Sequence, residues 1–147
     1  MIKSAKAKGA RWEREAVEVL NEMFPDTWKR IPGSGAFGTI MNITGLTGDL
    51  TGKYKFFPFM FRGENKVGYG GKEMTVKKEW FDKIRMEADK NFNEVPCVLI
   101  KFDNSRSGVR YFIAFDFDAL KKILETVETI YNENIALRDK ENERLPG

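Results

Sequence analysis

The chain of 147 residues contains no histidine. That absence removes histidine general bases, Ser-His-Asp and Cys-His catalysis, and nearly every catalytic zinc site. The single cysteine, Cys97, has no partner for an internal disulfide, so an intracellular, cytoplasmic protein is expected. No apolar run reaches the length of a membrane span, and the opening Met-Ile-Lys-Ser-Ala-Lys-Ala-Lys has no hydrophobic signal region, so no membrane association is expected. Carboxylates, lysine, arginine, tyrosine and hydroxyls are left to carry any chemistry. Carboxylates favour hard cations such as Mg²⁺ or Mn²⁺.

What is present suffices for one domain. The hydrophobic content is 41%, with twelve Phe and three Trp to fill a core. The net charge of +3 is unevenly spread. Residues 1–14 carry five basic side chains against one acid, residues 53–90 ten against six, and residues 116–147 five against eight. A basic front half suits a polyanionic partner, and equally a solvated lysine-rich surface.

Hydrophobic periodicity predicts a helix from about Gly9 to Phe24, closed by Pro25, with Trp12, Ala16, Val17, Val19, Leu20, Met23 and Phe24 on one face. Glu13 projects into that apolar arc. A buried carboxylate there needs a cationic partner or a metal; at a helix start it can instead stay partly exposed, favoured by the macrodipole. A short strand Thr27–Ile31 follows, then an uncharged glycine-rich loop, Pro32 to Gly48, then a second strand Asp49–Thr51. A helix is expected from Val76 to about Phe92, its wide apolar face leaving room for a partner's helix. Pro96–Phe102 is the most apolar strand and is expected to be central. Arg110–Phe115 pairs with it, a last helix covers about 118–136, and the charged tail 137–147 is expected to fray. The order is αβββαββα, a single-domain α/β fold with a mixed sheet flanked by helices.

The stretch Phe59–Val67 organises the rest. In a strand alternate side chains share a face, so Phe59, Phe61, Gly63, Asn65 and Val67 point one way and Met60, Arg62, Glu64 and Lys66 the other. Glu64 and Lys66 then stand side by side. A carboxylate and an amine held together on a rigid element can bind a metal and position a water. With Glu13 and Asp49 they make a carboxylate set with an adjacent lysine. Phosphodiester hydrolysis needs a metal to neutralise developing charge and a water deprotonated near neutral pH, and such a set can provide both without histidine.

This arrangement resembles the PD-(D/E)xK nuclease superfamily, and more closely the archaeal-type Holliday junction resolvases. Lys8-Gly9-Ala10-Arg11-Trp12-Glu13-Arg14-Glu15 matches the opening signature of that family, and Arg30-Ile31-Pro32-Gly33-Ser34 matches its Arg-x-x-Gly-Ser. Asp49 and Glu64-Asn65-Lys66 follow in order, and the likeness covers about residues 8–116. It differs in having Gly48 rather than proline before Asp49, and in a longer loop after Ser34 and a longer aromatic insert, Tyr54 to Phe61. The resemblance implies a restriction-endonuclease-like fold, with Glu13, Asp49 and Glu64 as metal ligands and Lys66 orienting or activating water. It implies Lys8, Arg11, Arg14, Arg30 and Ser34 at the DNA, Mg²⁺ (or Mn²⁺) as the only cofactor, and a homodimer that nicks four-way junctions symmetrically. The other reading of the same motifs is a PD-(D/E)xK nickase, restriction-type enzyme or flap-cutting nuclease.

Overall fold

The computed structural model describes residues 5–31, 50–68, 70–103 and 108–144. The elements are α1 (Ala5–Met23), β1 (Trp28–Arg30), β2 (Leu50–Gly52), β3 (Met60–Gly68), α2 (Lys78–Asp89), β4 (Glu94–Phe102), β5 (Tyr111–Ala114) and α3 (Phe117–Arg144), in the expected order. The chain divides into two compact units, Met1–Asp116 and Phe117–Gly147. In the first, the strands form one mixed sheet in the order β1-β2-β3-β4-β5, with β3 parallel to β4 and every other neighbour antiparallel. No helix among the described residues is long and apolar enough to cross a membrane.

Local chemistry fixes the entry to the sheet. Pro25 ends α1, and Asp26 takes a left-handed turn at φ 58°. Asn21 ties the corner: its Oδ1 accepts from the backbone N–H of Thr27 and of Trp28, and its Nδ2 donates to Trp28 C=O. At the other crossover Asn93 is left-handed (φ 57°), its side-chain amide donating to Pro58 C=O at 2.7 Å. The Met60 N–H donates to Asn93 C=O, so β3 and β4 begin level and Glu64 lies beside Val98.

The pleat sorts the core into two layers. Trp12 and Ala16 of α1 are buried on the face of Phe61, Leu99 and Lys101, where the Trp12 indole donates to Leu99 C=O and stacks on Tyr111. On the opposite face Ile84 of α2 packs on Val98 and Ile100, with Met74, Trp80, Phe81 and Phe102 around them. β4 is buried from Val95 to Lys101, but the central place expected for it belongs to β3, and β4 is the fourth of the five strands. Arg62, on the α2 face of β3, is itself buried and donates from Nε to the Glu94 carboxylate at 2.8 Å. Breaking a buried ion pair of this kind leaves an uncompensated charge.

Three further expectations are corrected. α2 is shorter than Val76–Phe92, because the left-handed Asn93 turns the chain back into the sheet and leaves Phe92 almost wholly exposed. Its apolar face is turned to the chain's own sheet: Ile84 and Ala88 are buried in the core, and Trp80 and Phe81 are partly buried beside them. The tail does not fray at Ala136, since α3 continues to Arg144 through Leu, Arg, Lys and Glu, which are good helix formers. Taken by itself, α3 exposes Leu120, Leu124, Val127 and Tyr131 at helical spacing.

Two predictions about stability follow from these contacts. A Cβ at Gly52 would lie 2.7 Å from the Trp28 ring, which is stacked on Phe61, whereas one at Gly63 would meet the movable end of Leu99 at 3.2 Å. Gly52→Ala is expected to cost about 1–3 kcal/mol, the scale of overpacking, and more than Gly63→Ala, read from urea midpoints. The second concerns Glu15, which accepts hydrogen bonds from the buried Lys101 and from the Tyr111 hydroxyl (2.6 Å), joining α1 to β4 and β5. Burial alone would raise its carboxyl, but the bonds from Lys101 and Tyr111 and the nearby charges outweigh burial and hold it below the ordinary 4.5. A depressed folded value stabilises above the unfolded one and loses that contribution as pH falls through the folded value. Glu15→Gln is therefore expected to lose stability mainly above pH 4.5, with the gap to wild type closing in more acid solution.

Candidate active site

The site grows from the α2 face of β3. The pairing of Gly63 with Leu50, and the contact a Cβ at Gly63 would make with Leu50 and Leu99, put Gly63 on the α1 face. Its neighbours Arg62 and Glu64 therefore point to α2, and so does Lys66. Glu64 is buried (4% exposed), and its carboxylate lies 3.3 Å from Lys66 Nζ. The Lys66 ammonium also sits over the Trp80 ring, 5.2 Å from its centroid, which limits where that amine can go. The expected Glu-Lys pair on one strand face is therefore present.

Two further charged groups reach this pair from α2, and neither was singled out in the sequence. Lys83 Nζ lies 3.4 Å from both Glu64 carboxylate oxygens. Glu87, one turn later, is 5% exposed, and its Oε2 is buried with no hydrogen-bond partner among the described residues. Burial pushes the Glu87 carboxyl above its ordinary value; the Lys83 charge pulls against this and the Glu64 charge adds to it. A signal for Glu87 does exist in the sequence. At about 100° per residue it lies about 20° from Trp80, within the apolar arc of α2, as Glu13 does in α1.

The other expected residues are dispersed. Glu13 belongs to the α1 side of the sheet and accepts a hydrogen bond from Arg30 at 3.0 Å, so its placement in the apolar arc is resolved by a cationic partner. Arg11 faces Asp103 at 3.5 Å, and Arg14 is exposed. Lys8 lies within α1, but its side chain is not among those described; Ser34 and Asp49 lie outside the described residues. Leu50, which follows Asp49, pairs with Gly63, which precedes Glu64. Among the described residues no three carboxylate, histidine or cysteine side chains converge as a cation cage. Glu64 and Glu87, which feel one another's charge on this face, both offer oxygens, which suits a hard divalent ion.

Two other features carry no comparable chemistry. Burial pushes the Cys97 thiol up to about 12, so it stays protonated and inert. A cavity of about 410 Å³ lies under α1, but its walls, among them Ala16, Leu20, Trp28, Phe61 and Leu99, are almost wholly apolar.

The family model described as "Phage putative PDDEXK endonuclease" matches residues 4–145. Protein D14 of Escherichia phage T5 is 29% identical over 126 residues, covering 79% of this chain and 73% of its own length.

Proposed function

The chain belongs to the phage PD-(D/E)xK endonuclease family, and from that membership we propose that it hydrolyses DNA phosphodiester bonds with Mg²⁺ or Mn²⁺, selecting four-way junctions and nicking them in symmetric pairs. The observation that carries the chemistry is the buried Glu64 carboxylate held 3.3 Å from Lys66 on one strand face. Selection of junctions is supported by the opening signature Lys8–Glu15 and by Arg30 and Ser34, which resemble the junction resolvases in residue type and order.

In this reading Glu64 and Asp49 hold the cation, which when bound neutralises charge developing on the phosphoryl oxygens. Lys66, restrained by Trp80, directs a water in line with the scissile bond. The water oxygen bonds to phosphorus, the P–O ester bond breaks, and the water's protons leave to bulk and to the departing oxygen. The products are one phosphomonoester and one hydroxyl. Glu13 orients Arg30 towards a backbone phosphate, with Arg11, Arg14, Lys8 and Ser34 adding contacts of the same kind. Such contacts read backbone shape rather than base edges.

Resolving a junction takes two cuts at symmetry-related positions, and each chain has one Glu64-Lys66 pair. A two-fold homodimer supplies both at fixed separation. With the α2 face committed to the core, the exposed row Leu120, Leu124, Val127 and Tyr131 of α3 is the surface proposed for that contact.

Cleavage of labelled four-way junctions should require Mg²⁺ or Mn²⁺ and stop in EDTA; full activity in EDTA would refute the metal mechanism. Glu64→Gln is expected to abolish cleavage while junction affinity persists, and Lys66→Ala to cost at least ~10² in rate. Light scattering should give about twice 17.0 kDa, falling to the monomer mass in a Leu124→Glu, Val127→Glu double variant. Paired nicks on opposing strands support the resolvase reading. Equal cutting of linear duplex would remove junction selection and leave the endonuclease.

A further inference from the structure

Helix α2 covers the Glu64 face of the sheet, and its inward positions recur at Trp80, Ile84, Glu87 and Ala88. Three of the four are apolar or small and fill the core. The fourth is a carboxylate. It is 95% removed from solvent and one of its oxygens has no hydrogen-bond partner among the described residues. Burying a carboxylate oxygen without a partner is costly, and a chain that keeps one there gives it a use or pays in stability. Its electrostatic neighbours are Lys83, Glu64, Arg62 and Lys90. Arg62 is bound to Glu94 through two nitrogens, and Lys83 lies at hydrogen-bond distance from both oxygens of Glu64.

A second buried oxygen is orphaned on the same face. Thr51 alternates with Leu50 and Gly52, which face α1, so its side chain faces α2; it pairs with Arg62, two residues before Glu64. Its Oγ1 is buried and has no partner among the described residues. On the α1 side, by contrast, Glu13 has its guanidinium already.

From this we infer that Glu87 is a ligand of the divalent cation, the helix-borne carboxylate that faces Glu64 across the α2 layer, and that Glu13 is not one. The orphan oxygen of Glu87 would be the donor offered to the ion, and the Thr51 hydroxyl stands on the same face of the sheet. The inference rests on the cation-dependent reading above, and its test separates the two.

The experiment is titration of the full chain, free of DNA, with Mn²⁺, following the signal of unbound Mn²⁺ by electron paramagnetic resonance. Glu87→Gln keeps the shape and removes the charge, and is expected to weaken Mn²⁺ binding by about 10-fold or more, the scale of damage to a metal centre's supporting groups. Glu64→Gln should weaken it at least as much, and Glu13→Gln should leave it within about twofold of wild type. Wild-type affinity in Glu87→Gln beside a loss in Glu64→Gln overturns the role of Glu87 alone. Wild-type affinity in both overturns the cation centre itself. A large loss in Glu13→Gln returns the helix ligand to α1 and also overturns the inference. Should Glu87→Gln prove unstable, Glu87→Asp keeps the carboxylate and is expected to retain more Mn²⁺ affinity and more Mn²⁺-induced rise in melting temperature. Equal loss in Asp and Gln variants would assign Glu87 to packing.

Discussion

The parallel pairing of β3 with β4 is the constraint on which the rest depends. Parallel neighbours need a crossover, and here the crossover is α2, which must lie back across the sheet it has just left. This places one helix face over Arg62, Glu64 and Lys66. The asparagine at the end of the crossover sets the register by joining the start of β4 to Pro58 and Met60. A slip of one residue would turn Glu64 and Lys66 into the α1 layer and bring Phe61 and Gly63 out under α2. Trp28 stacked on Phe61, with Gly52 leaving space for the ring, makes that slip expensive.

The α2 layer therefore holds more charge than a core usually does. Arg62 and Glu94 are both buried, and desolvating such a pair cancels much of its attraction. The pair stabilises little by its presence but penalises any packing that separates its members. It stands next to Glu64 in the sheet, so the geometry of the candidate site is enforced by a contact that takes no part in its chemistry. On the other face, Lys101 does comparable work: covered by Trp12, it is satisfied by Glu15 and by Asp103 at 3.2 Å, and Asp103 in turn holds Arg11. The opening signature thus has a structural component, since Arg11, Trp12, Glu13 and Glu15 all tie α1 to the strands.

Much of this was legible in the sequence, because the strand period is rigid. Once Phe59–Val67 is taken as a strand, Glu64 and Lys66 must share a face, and no tertiary information is needed. The element order was readable for the same reason. Helix faces were harder. Apolar positions in α2 mark an inner surface without saying whether a partner or the chain's own sheet covers it, and the sheet covers it. Glu13 stands out because it interrupts an apolar arc; Glu87 interrupts one in the same way, yet lies outside the motif order that contains Glu64. Lys83 could not be found by spacing at all, since its meeting with Glu64 depends on how α2 lies across β3. The length of α3 is not legible in the same way, because a charged composition reads as a solvated tail although its residues favour helix.

Charge balance gives these α2 residues a common logic. Glu64 and Glu87 stand against Lys66 and Lys83 on this face, beside the Arg62–Glu94 pair, with Lys90 adding to the positive charge that Glu87 feels. A divalent cation on the two carboxylates would add two positive charges to this layer. The two lysines are not equally held. Lys66 leaves a strand and lies over the Trp80 ring, whereas Lys83 leaves a helix and is half exposed, so water can take up its ammonium at little cost. Under the proposed cation-dependent reading, Lys83 is therefore the ammonium that would withdraw into water as positive charge enters the layer, and Lys66 the one that would stay beside Glu64.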